Sequence, residues 1–76
     1  MTEGETKLIR MALEIHQFFR RQNDAADAAA RHLQQFWAPT MRREFLDLIV
    51  REGDAVPATA REIAAALARE AKPDPQ

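Results

Sequence analysis

The chain has 76 residues, 11 Lys and Arg against 12 Asp and Glu, a formal net charge of −1 and no cysteine. That length supports one domain at most, the missing cysteines exclude disulfides and thiolate metal sites, and the charge balance argues against nucleic acid or anionic membrane as a partner. No apolar run approaches the ~20 residues that span a bilayer, and the acidic start Met1-Thr2-Glu3-Gly4-Glu5 is unlike a secretory signal, so a cytoplasmic protein is expected.

Residues 1–6 read as a frayed start, residues 7–71 as a single helical domain and residues 72–76 as a disordered tail. Thr2 and Glu5 have the spacing of a capping box, and Thr6 is a second N-cap candidate. A first helix is expected over about residues 6–22. At ~100° per residue, Leu8, Met11, Ala12, Ile15, Phe18 and Phe19 form its core stripe. Ile9 and Leu13 fall on roughly the opposite side, with His16 next along. A helix apolar on two sides is either sandwiched between neighbours or docked on another chain.

Gln22-Asn23-Asp24 breaks the pattern, and Asp24 is placed to cap a second helix. Its stripe is Ala26, Ala29, Ala30, Leu33, Phe36 and Trp37, with Arg31, Gln34 and Gln35 pointing away. Pro39 lacks an N–H and clashes with a preceding helical turn, so this helix stops near Trp37 or Ala38. Proline also suits a first helical turn, so a new helix starts at once, and the two meet in a tight corner.

The third helix covers about residues 40–52, with Met41, Phe45, Leu48 and Ile49 as core, Leu46 and Val50 beside them, and Gly53 as its C′ residue. Arg42 and Arg43 lie in its first turn, where the helix dipole disfavours cations. Either an external acidic partner holds them there or they are ordinary solvated arginines. After the loop Gly53-Asp54-Ala55-Val56, a fourth helix runs over about residues 57–70 on a thin stripe of Ala60, Ile63, Ala64, Leu67 and Ala71. Being alanine-rich, it is the element expected to fray first. The fold class is all-α, a small bundle of three to four short helices around a proline-containing corner.

Catalytic chemistry is thin. Gly4 and Gly53 are isolated, so there is no phosphate loop, and the only hydroxyls are Thr2, Thr6, Thr40 and Thr59. His16 and His32 lie sixteen residues apart, which is not a helical metal-ligand spacing. His32 is open to packing, to capping a carbonyl or to meeting a partner carboxylate. Phe36 and Trp37 are open to a core role or a partner contact. A helix-turn-helix nucleic-acid reading, with Arg42 and Arg43 on the recognition helix, is disfavoured by Glu44 and Asp47, which repel phosphates. A domain this small is marginal alone, and a partner is the most available source of extra stability.

Three segments carry a family resemblance: Lys7-Leu8-Ile9-Arg10-Met11-Ala12 through Phe18-Phe19; His32-Leu33 through Phe36-Trp37-Ala38-Pro39-Thr40-Met41-Arg42; and Pro57 followed by Ala60-Arg61-Glu62. The second is the most specific, being similar to a His…Phe-Trp-x-Pro-x-Met-Arg signature. On these residues the chain resembles the delta subunits of NAD-dependent, molybdenum-containing formate dehydrogenases. The resemblance implies a non-catalytic accessory subunit of a cytoplasmic enzyme, docked on the large catalytic subunit to support assembly or stability. It implies that this chain binds no cofactor and that the partner subunits carry molybdopterin with Mo or W, Fe–S clusters, FMN and NAD. The alternative is a transient helper or regulator in cofactor insertion. The residues expected to meet the partner are Arg10, His32, Trp37, Pro39, Met41 and Arg42, with Ile9 and Leu13 as a second surface and Trp37 as the anchor.

Overall fold

The computed structural model describes residues 1–70, which form four α-helices and no strand: α1 (Glu3–Phe18), α2 (Ala25–Phe36), α3 (Pro39–Glu52) and α4 (Ala58–Glu70), with one 3₁₀ turn, Gly53–Ala55, between the last two. Ala71 and the tail expected at residues 72–76 lie outside the described residues.

α1 begins three residues earlier than expected because the capping box forms. The Glu5 N–H donates to Thr2 Oγ1 at 3.1 Å, and the Thr2 N–H donates to Glu5 Oε1 at 2.8 Å. Two orphan donors of the first turn are thereby satisfied, and the stretch expected to fray is helical from Glu3. Thr6 is not the cap; its hydroxyl donates to the Thr2 carbonyl at 3.1 Å. At the other end α1 stops at Phe18, four residues short of expectation, and unwinds through i→i−3 bonds: Phe19 N–H to the His16 carbonyl at 3.0 Å and Gln22 N–H to the Phe19 carbonyl at 2.9 Å. Such tightening satisfies terminal carbonyls while the chain reverses into α2.

Two other expected caps differ. Asp24 occupies the N-cap of α2 but its side chain makes no capping bond; its carboxylate pairs with Arg31 at 3.3 Å. Gly53 ends α3 in the right-handed region, at φ −33° and ψ −54°, and leads directly into the 3₁₀ turn, so no left-handed C′ residue is used.

The core is centred on Phe45, Leu33, Leu48, Ile63 and Leu67, all fully buried. The most extensive helix pairing is α2 against α4. Alanines line both helices there: Ala29 and Ala30 on one, Ala60, Ala64 and Ala66 on the other, all buried. Small side chains let helix axes approach closely. The thin alanine stripe of α4 therefore marks close packing, not weak attachment, and α4 buries five residues, more than any other helix.

α1 contacts α2, α3 and α4, so it is covered from more than one side. Ile9 and Ala12 are its buried residues, while Leu8, Met11, Leu13, Ile15 and Phe19 are partly covered. Ile9 is thus buried among neighbouring helices, one of the two roles left open for it, and Phe18, assigned to the core, is 86% exposed.

Two ion pairs join distant segments. Arg51 at the end of α3 pairs with Glu5 at the start of α1, and Arg69 of α4 meets Asp27 of α2 at 2.9 Å. The Thr2 backbone N–H and then the Arg51 guanidinium hold the Glu5 carboxyl below its ordinary value, and Glu5 in turn raises Arg51. A lowered folded-state carboxylate contributes stability above its unfolded value and loses it as pH falls through the folded one. Denaturant midpoints followed against pH should therefore show Glu5→Gln less stable than wild type at neutral pH. The gap should close as the medium is acidified below the usual glutamate range.

Candidate docking surfaces

The corner between α2 and α3 is built by backbone chemistry. Trp37, the C-cap of α2, is extended at φ −85° and ψ 143°, as is Ala38, the N-cap of α3, at φ −62° and ψ 148°. Pro39 follows at the first position of α3, where its missing N–H costs nothing. The end of α2 leaves carbonyls without helical partners. Arg42, one turn into α3, reaches back and supplies them: its Nη1 donates to the Trp37 carbonyl at 2.7 Å and to the Gln34 carbonyl at 3.0 Å. This explains a cation in a first helical turn. The C-terminus of α2 carries the opposite partial charge to the N-terminus of α3, and Arg42 serves the former. No external acid is needed to hold it. Arg43 is exposed and forms no ion pair among the described residues.

Because Trp37 has left the helix, its ring turns inward. It is 7% exposed and packs edge-on against Phe45, with centroids 5.8 Å apart and planes at 82°. Phe36, still helical, stays 68% exposed, although both belong to the apolar stripe read from the sequence. His32 lies between two phenylalanines, 4.6 Å from the Phe36 ring and 6.4 Å from that of Phe19. It is half-buried in this aromatic row, which ties the end of α1 to α2.

The residues expected to meet a partner therefore fall into distinct groups. Trp37 and Ile9 are buried, and Arg42 is occupied with backbone carbonyls. His32, Met41 and Leu13 are half-buried, and Arg10 and Pro39 are exposed. Ile9, Arg10 and Leu13 do come together. With Met1, Ala55 and Pro57 they line an open, mostly apolar depression of about 380 Å³ between α1 and the turn before α4. A second open depression, of about 520 Å³, lies at the end of α1 and is lined by Gln17, Phe18, Arg20, Arg21 and Gln22. Sequence reasoning missed it by running the first helix on to about residue 22 with Phe18 and Phe19 both on its core stripe, whereas α1 ends at Phe18 and Phe19 is its C-cap. Among the described residues no group of three or more His, Cys, Asp or Glu side chains is arranged to hold a metal ion, and no helix is long and apolar enough to cross a membrane.

These features define a small all-α bundle whose surface offers apolar hollows edged by arginine. The family of NADH-dependent formate dehydrogenase delta subunits, FdsD, matches residues 7–71, and the chain belongs to that family. Membership implies a complex with other formate dehydrogenase subunits. No curated protein and no solved structure matches the chain.

The corner makes two separable demands on stability. Trp37→Ala empties a core position and should cost about 3–5 kcal/mol. Arg42→Ala leaves two carbonyls without their charged donor and should cost about 1–3 kcal/mol. Urea titration of the full chain measures both, and Arg42→Lys should recover only part of the loss, since a lysine lacks the guanidinium's fork of donors.

Proposed function

We propose that this chain is a non-catalytic accessory subunit that docks on the large molybdopterin-containing subunit of a cytoplasmic formate dehydrogenase and supports its assembly or stability. Family membership carries the reading, since the match spans nearly all of the chain. The depression lined by Ile9, Arg10 and Leu13 supports it, being a concave apolar surface with a cation of the kind favoured at interface centres. Pro39, Met41 and His32 offer a second contact at the corner. In this reading the partner subunits hold the Mo or W pterin, the Fe–S clusters and FMN, and react with NAD. The present chain holds none of them, and without cysteine it has no thiolate for a cluster. A subunit that binds only the folded form of its partner stabilises that form by mass action.

The test is co-expression of the tagged chain with the formate dehydrogenase subunits, followed by size exclusion of the active enzyme. Wild type should elute with the large subunit at fixed stoichiometry. Arg10→Glu combined with Leu13→Ser should weaken that association by about 2 kcal/mol or more. A chain that leaves the active enzyme during purification would instead be a transient helper in cofactor insertion.

A further inference from the structure

The surface around the end of α1 has a charge and shape that the fold does not use. Phe18, the last residue of α1, is 86% exposed. The two residues after Phe19 are Arg20 and Arg21, and no acid occurs between Glu14 and Asp24. Asp24, the nearest acid after them, is already paired with Arg31. Arg20 donates only to neutral oxygens of Gln17, at 3.3 and 3.4 Å, and Arg21 has no hydrogen-bonded or ionic partner among the described residues. A chain of net charge −1 thus carries a local excess of two positive charges around an exposed aromatic ring. The ground beneath is firm, because Phe19 anchors this end of α1 on the His32–Phe36 row.

We infer that the depression formed by Phe18, Arg20 and Arg21 receives an acidic segment of a protein partner, with an apolar side chain against the Phe18 ring and carboxylates on the two guanidiniums. Charge complementarity selects the occupant. Guanidinium matches carboxylate in paired, planar hydrogen bonds and is weakly hydrated, so it is readily covered at an interface. Aromatic residues and arginine are also the types that concentrate binding energy. Nucleic acid fits less well, because affinity for a phosphate backbone grows with the number of phosphates neutralised, and this surface offers two cations in a chain of net charge −1. The inference rests on the docking reading above and adds to it a second contact, separate from the hollow lined by Ile9, Arg10 and Leu13, with a stated chemistry on the partner side.

The experiment compares the co-expressed complex of wild type with those of Arg20→Glu/Arg21→Glu and Phe18→Ala. All three sites are surface positions, so circular dichroism and melting of the free chains should be unchanged. The charge reversal should weaken the complex about tenfold or more, Phe18→Ala should weaken it to a lesser degree, and wild-type association should fall as added salt screens the arginines. If both variants bind like wild type while Arg10→Glu with Leu13→Ser releases the chain, docking stands and this contact is overturned. If wild type retains no subunit at all, both readings fall. If instead wild type binds a mixed-sequence DNA duplex, and the reversal abolishes that binding without affecting the complex, the occupant is nucleic acid and the inference is wrong.

Discussion

The hydrogen bonds from Arg42 to the Gln34 and Trp37 carbonyls hold together the point where the chain changes direction. A helix that must stop before proline leaves acceptors pointing at its neighbour, and in this part-buried corner the neighbour supplies their donor. A charged donor from the next helix satisfies two of them with one nitrogen. It also fixes the short extended link through which Trp37 turns inward onto Phe45, while Phe36 remains outside. One contact thus sets which aromatic belongs to the core and which to the surface.

Around that corner the bundle relies on closeness more than on bulk. Alanines on α2 and α4 bring the backbones together, and a few large side chains from α3 and α4 fill what remains. The cost of such economy is surface. Phe18, Phe36 and Val50 stand largely exposed, and Ile9 and Leu13 border an open hollow. For a free monomer these are apolar areas left in water. For a subunit they are area waiting to be covered, and this asymmetry agrees with membership in a delta-subunit family.

Much of this architecture was legible in the residues. The Thr2–Glu5 spacing, the turn residues near Asp24 and the proline at position 39 are local signals, each acting through backbone chemistry within a few residues. What escaped was tertiary. Phe36 and Trp37, ~100° apart on an ideal helix, both fall within one wide apolar stripe, and the end of the helix between them separates their fates. Arg42 looked misplaced because periodicity describes its own helix and says nothing of the one that ends beside it. On α1, two apolar stripes left a choice between neighbours and a partner. Three helices meet α1 and bury most of Ile9, which also lines the open hollow beside Arg10 and Leu13. The alanine stripe of α4 was misjudged for a related reason: area alone does not reveal how closely a small residue lets another helix approach.

The inward turn of Trp37 also makes the molecule its own optical probe. The chain has one tryptophan and no tyrosine, so near-ultraviolet excitation above the phenylalanine band reaches a single indole. That indole lies in apolar surroundings, edge-on to Phe45, and beside the backbone link that joins the two halves of the bundle. Its emission colour therefore reports the integrity of the corner directly, without a label. A ligand or subunit that settles on the outer hollows leaves that colour alone, whereas any event that opens the corner shifts it to the red. Surface binding and core rearrangement, which are hard to separate in so small a protein, are thus distinguishable by eye of the spectrometer in one sample.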